Sequence, residues 1–148
     1  MIFIRRADKV DAAPIARLVD ALLSELSGSP SRYDERLAAA SYLLSLHNRV
    51  FGFVAFELQQ PVGIIILSEN ASIYAGGMFG VITELYVVPA QRSASVATKL
   101  VDAAATLGRK RSWGRIEVAS IAKVRAAAQH FGGRRGAGHY QMLMLQRD

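Results

Sequence analysis

The residues best placed to do chemistry lie between Glu84 and Val101. An apolar run through Leu85, Tyr86 and Val87 reads as a strand that stops at Pro89, which has no amide hydrogen for a sheet ladder. A loop of small residues follows, Ser93, Ala94 and Ser95, and a helix opens at once through Val96, Ala97 and Thr98. A helix starting there points several free backbone N–H groups and the positive end of its dipole at one spot. Small side chains let an anion approach that backbone, and Arg92 adds a charge-assisted donor. The segment reads as a cradle for pyrophosphate; the plainer alternative is an ordinary helix start after a strand.

Glu84 is a carboxylate inside an otherwise apolar strand, and simple alternation sets it on one face with Ile82 and Tyr86. Burial raises a carboxyl pKa, which suits a general base acting directly or through water. The alternative is an ion pair with an arginine at the sheet edge. His47 and His139 have no carboxylate or cysteine at ligand spacing, so no metal site is expected. The chain has no cysteine, which excludes disulfides and a thiolate nucleophile.

The elements that must position these groups are legible from periodicity. Ile2 to Arg6 reads as a first strand, and Ile15, Leu18, Val19, Leu22 and Leu26 recur at helical spacing. Gly28 to Ser31 breaks that helix, and a second runs from Tyr33 to His47. Val50 to Leu58 and Val62 to Ser68 form a hairpin across a Gln59-Gln60-Pro61 turn. Phe79 to Val88 is a strand, Val96 to Leu107 a helix, Trp113 to Ala119 a strand, Lys123 to Phe131 a helix and His139 to Leu145 a last strand. Short early turns favour antiparallel pairing, and the crossover from Phe79 to Ala119 favours one parallel pair. The expected fold is α+β: a mixed, mostly antiparallel sheet of six or seven strands with helices on both faces, one domain over residues 1–148.

This order of elements, with Leu85-Tyr86-Val87-Val88-Pro89 and then Arg92, Ser95 and Ala97, resembles the GNAT superfamily of acyl-CoA-dependent N-acetyltransferases. The family loop is usually Arg/Gln-x-x-Gly-x-Gly/Ala; here Ser95 takes the place of its first glycine. If that position needs a positive φ, the serine costs ~1 kcal/mol. The resemblance implies acetyl-CoA as cosubstrate and a small amine or peptide as acceptor. It implies that the backbone of Leu85, Tyr86 and Val87 holds the pantetheine arm, and that Arg92 and the run from Ser93 to Thr98 hold the phosphates. A second family signature, Ala-x-x-Phe-Tyr and then Gly-Phe, corresponds to Ala128 to Gly132 and then Gly136-Ala137. Phe131 fits it as a cofactor contact, but Gly132 stands where the family's tyrosine acid belongs, and Arg125 replaces a common asparagine. Tyr140, His130 or water would then protonate the thiolate, with Tyr140 carried forward as the catalytic candidate beside Glu84. Tyr33 and Tyr42 lie on the helix that borders the acceptor pocket in such folds. A homodimer is compatible with the family.

The net charge of +6 favours polyanionic partners, and a nucleotide cofactor satisfies it as well as nucleic acid would. Arg109-Lys110-Arg111 and the loop pair Arg134-Arg135 read either as solvated surface or as further phosphate contacts. Aromatics are not interleaved with the basic runs and no nucleic-acid motif occurs, so no nucleic acid is expected. The N-terminus has no signal-peptide pattern and no apolar run approaches membrane-spanning length, which suggests a cytoplasmic protein without membrane association. The competing expectation, from Ser95 and Gly132, is a catalytically weak or inactive acyl-CoA-binding module.

Overall fold

A computed structural model describes residues 1–28, 30–92 and 95–118, with the backbones of two C-terminal strands at 134–135 and 141–144. The strands are β1 (Ile2–Arg6), β2 (Val50–Glu57), β3 (Gln60–Ser72), β4 (Gly77–Val87), β5 (Arg115–Val118), β6 (Arg134–Arg135) and β7 (Gln141–Met144). They form one sheet in the order β1-β2-β3-β4-β5-β7-β6. Every neighbouring pair is antiparallel except β4 with β5. The parallel pair sits on the long crossover, as expected, because parallel strands need a helix-length connection.

Among the described residues three α-helices cover the sheet: α1 (Ala12–Ser27), α2 (Tyr33–Leu44) and α3 (Val96–Lys110). Leu18 and Leu22 of α1 and Leu44 of α2 pack with Val54, Ile64, Ile66 and Tyr86 on one face. Val96, Leu100 and Ala104 of α3 pack with Phe51, Ile65, Leu85 and Val87 on the other. α3 lies so close over β3 that a Cβ on Gly63 would meet Val96 Cγ1 at 3.1 Å and Leu100 Cδ1 at 3.2 Å. This is the α+β architecture with helices on both faces that the sequence implies.

Several boundaries differ. The second helix ends at Leu44, not His47, because the Ser45 hydroxyl donates to the Tyr42 carbonyl and closes the last turn. The hairpin turns at Leu58-Gln59, both with positive φ, so β3 begins at Gln60 and is longer than its apolar stretch. Neither residue type announces a left-handed turn, which glycine and asparagine do. The last paired strands start at Arg115 and Gln141, later than their apolar patterns suggest, and Arg134-Arg135, expected in a loop, pairs with Met142 and Gln141 instead. The expected helix Lys123 to Phe131 lies outside the described residues.

The C-terminal end of α3 is fastened to β3 and β4 through Trp113. The indole is buried, meets Phe51 edge-on at 5.8 Å and donates its Nε1–H to Glu69. Arg111 also donates to Glu69, with Nη2 at 2.9 Å from Oε1, and its guanidinium lies 4.6 Å from the Phe51 ring centroid. The Arg111 bond, and after it the indole bond, hold the Glu69 carboxyl below its usual pKa against the opposing effect of burial.

Two predictions follow from this anchor. A Cβ on Gly80 would stand 2.4 Å from Cζ3 of Trp113, so Gly80→Ala is expected to lower unfolding stability by about 1–3 kcal/mol, read from the denaturant midpoint. Because the folded Glu69 pKa is depressed, its contribution is fully present above the unfolded value of about 4.3. It is lost as pH falls from there through the folded value. Glu69→Gln should therefore flatten the acid limb of a melting-temperature profile while lowering stability at pH 7.

Candidate functional site

The site is built on β4. Among the described residues β4 pairs with β5 at Gly80, Val81 and Ile82, opposite Ile116, Glu117 and Val118. Beyond that point β4 continues to Val87 beside β3, and among the described residues its other edge has no strand partner. Leu85, Tyr86 and Val87, which the family resemblance assigns to the pantetheine arm, lie on this part of β4.

The same place carries a bulge. Ile66 pairs with Glu84 while the next residue, Leu67, pairs with Ile82, leaving Thr83 as the extra residue. Its hydroxyl reaches the Ile66 carbonyl at 3.4 Å and also donates to the Glu84 carboxylate. One inserted residue reverses the side-chain alternation beyond it. Ile82 consequently packs on the α3 side with Leu85 and Val87, while Tyr86 packs on the α1/α2 side and Glu84 lines a cavity there. The expectation that Ile82 shares a face with Glu84 is thus corrected. Glu84 itself is half-buried rather than enclosed, and no arginine pairs with it among the ion pairs of the described residues.

That cavity has a volume of about 210 Å³. α1 contributes Ile15, Val19 and Leu23, α2 contributes Ala40 and Leu43, and the sheet contributes Ile66. Two charged residues, Arg36 and Glu84, complete its wall. Tyr42, on the helix that borders the pocket, is exposed, which is the surface reading of that residue, and Tyr33 is not part of the wall.

The segment expected to cradle phosphate follows the C-terminal end of β4. β4 leads through a 3-10 turn, Pro89–Gln91, to α3, whose first backbone bond runs from Lys99 N to Ser95 O at 3.1 Å. The amides of Val96, Ala97 and Thr98 precede it and have no intrahelical carbonyl to bond. Val96 and Ala97 are buried beneath the turn and Thr98 is exposed. Ser95 caps the helix at φ 61° and ψ 22°, the left-handed conformation for which glycine is the usual residue. Ser93, Ala94, Phe131 and Tyr140 lie outside the described residues, as do Arg125, His130 and Gly132.

Arg92 links the cradle to the opposite face. Its Nε donates to the Val87 carbonyl at 3.0 Å, its Nη2 to Glu25 of α1 at 2.7 Å, and its guanidinium stands 5.5 Å from the Tyr86 ring centroid. The Tyr86 hydroxyl donates to the other Glu25 oxygen at 2.8 Å. The Arg92 bond, outweighing partial burial and aided by Tyr86, holds Glu25 below the usual carboxylate range. Burial first, and the bond to Glu25 second, push the Tyr86 hydroxyl above its ordinary value. Glu25 was not marked by the sequence: it sits near the end of α1, 61 residues before Tyr86 and 67 before Arg92, and only the fold brings the three together.

The comparisons with known proteins agree with this geometry. The model of the Acetyltransferase (GNAT) family matches residues 15–137, and the chain belongs to that family. Among solved structures it is similar to a GCN5-related N-acetyltransferase from Ralstonia eutropha, 17% identical, with 93% of this chain and 95% of that one covered at a TM-score of 0.77. An acetyltransferase of the GNAT family from Staphylococcus aureus is 13% identical, with 99% and 100% covered and a TM-score of 0.77. A Clostridium acetobutylicum protein solved with acetyl-CoA is 18% identical, with 93% and 92% covered and a TM-score of 0.76. No curated protein matches the chain. Among the described residues no helix is long and apolar enough to cross a membrane, and no cluster of three His, Asp or Glu could hold a metal ion.

The Ser95 conformation is directly testable. Ser95→Gly relieves the left-handed strain, partly offset by the greater freedom of glycine in the unfolded chain, and should raise stability by about 0.5–1 kcal/mol. Chemical denaturation of the two proteins under one condition measures it.

Proposed function

We propose that this chain is an acetyl-CoA-dependent N-acetyltransferase acting on a primary amine. The observation that carries the reading is the direct join of β4 through the Pro89–Gln91 turn to α3, which sets the first-turn amides of α3 at the end of a strand whose Glu84 lines the cavity. An open strand edge offers carbonyl and amide groups to a pantetheine arm, and a helix start offers amides and a positive dipole to phosphate. These features fit the cosubstrate, which supplies the acetyl group as a thioester with a thiolate leaving group.

In this reading the amides of Val96, Ala97 and Thr98, together with those of Ser93, Ala94 and Ser95, bind the phosphates. Leu85, Tyr86 and Val87 align the arm along the strand edge. Arg92 exchanges Glu25 for phosphate; both side chains of that ion pair are more than two-fifths exposed, so little stability is lost when it opens. Glu84 accepts the proton from the attacking amine, directly or through a water, as the new C–N bond forms and the C–S bond breaks. Tyr140 is our candidate to return a proton to the thiolate, with water as the alternative donor.

The reading is tested with a charge placed in the first turn. Thr98→Asp complements the helix dipole and should leave stability unchanged or raise it by up to about 1 kcal/mol. The same carboxylate repels phosphate, so acetyl-CoA affinity measured by isothermal titration should fall by about tenfold or more. If the parent protein binds no acetyl-CoA, the reading is wrong. Glu84→Gln should leave that affinity intact and reduce kcat for thiol release by about 10²-fold. Tight binding with no thiol release from any amine would instead favour a non-catalytic acyl-CoA-binding module.

A further inference from the structure

We propose that the cavity between α1, α2 and the sheet takes a small zwitterionic amino acid with an apolar body, its ammonium on Glu84 and its carboxylate on Arg36. The inference rests on the acetyltransferase reading for the fate of the amine, but the site is argued from its own wall. A cavity of about 210 Å³ is smaller than the ~300–1,000 Å³ typical of sites for drug-sized ligands. It therefore suits a compact acceptor rather than an oligosaccharide-sized amine. Its lining is aliphatic apart from one anion and one cation. A polyamine would need several anionic partners, and among the described residues Glu84 is the one carboxylate in the wall.

Arg36 is the less expected member. It is only 21% exposed, and its Nε is buried with no hydrogen-bond partner. The nearest carboxylate, Asp20, is already engaged by the Ser31 hydroxyl at 2.6 Å and the Arg32 amide at 2.9 Å, and stands 3.9 Å from that Nε. Glu35 lies 3.8 Å from Nη1, on the solvent side. Both contacts are ion pairs too long to be hydrogen bonds. That Nε is enclosed beside Asp20, so a ligand carboxylate would meet the guanidinium at its other nitrogens, in the paired geometry that its planar fork matches. Cation, apolar wall and anion together specify an amine that also bears a carboxylate. The chemistry is shared by apolar α-amino acids and by ω-amino acids, which differ in how far apart their charges lie.

The test uses paired acceptors with the intact protein: leucine against 3-methylbutylamine, and 6-aminohexanoate against hexylamine. Thiol release with acetyl-CoA should give at least one acid a kcat/KM about tenfold or more above its amine counterpart. Which acid wins assigns the α or the ω class. Arg36→Met should collapse that ratio toward one, and Arg36→Lys should restore part of it. Equal or better turnover of both simple amines by the parent protein overturns the proposal while leaving the acetyltransferase reading in place. That comparison needs no variant, so a misfolded Arg36→Met does not rescue the idea. Titration of each acid without acetyl-CoA separates the two claims. An acid that binds while acetyl-CoA does not would retain the site and refute the reading; absence of both binding and turnover for the acids refutes the site.

Discussion

A single extra residue in β4, Thr83, sets the geometry on which the site depends. Without it, strand alternation would put Glu84 on the same face as Ile82, which packs beneath α3. With it, Glu84 and Tyr86 turn toward α1 and α2 while Leu85 and Val87 hold the opposite core. The bulge lies next to Ile82, which pairs with Val118 of β5, so the reversal of faces falls beside the described β4–β5 ladder. A bulge increases local twist and re-aims side chains, and β3 and β4 stay paired on both sides of it. The Thr83 hydroxyl has one hydrogen to donate, and the Glu84 carboxylate is the nearer acceptor, with the Ile66 carbonyl at 3.4 Å.

The two faces of the sheet are joined at the cradle by Glu25. This carboxylate accepts from Tyr86 with one oxygen and from Arg92 with the other, while Arg92 also donates to the Val87 carbonyl. The group proposed to meet phosphate is thereby tied to the helix that walls the proposed acceptor cavity. An exposed ion pair of this kind is weak, so a multiply charged phosphate group can displace it. Its geometry keeps Arg92 beside the open strand edge rather than extended into solvent.

Much of this was legible in the sequence, and the omissions have definite causes. The Pro89 stop and the helical spacing from Val96 onward mark the join of β4 to α3 because each is a local signal. Ser95 in place of glycine correctly raised the question of a positive φ, and φ is 61°. The face of Ile82 was misread because a bulge leaves no mark in an apolar strand; period-two counting has no means of skipping Thr83. Glu25 and Arg36 were invisible for another reason. Each is an ordinary charged residue on a helix, and their significance comes from groups distant in sequence: Tyr86 and Arg92 for one, the cavity wall for the other. The left-handed Leu58-Gln59 turn lacked the glycine or asparagine that would announce it.

The central claim is that the first turn of α3 and the free edge of β4 together hold the cosubstrate. Amide hydrogen exchange with and without saturating acetyl-CoA measures this most directly, because unbonded first-turn amides and an unpaired strand edge exchange readily in the free protein. The account predicts slowed exchange at Val96, Ala97 and Thr98 and along Leu85 to Val87, with little change at the β1 edge. Protection absent from both segments, or confined to the basic surface around Arg109 and Lys110, would contradict it.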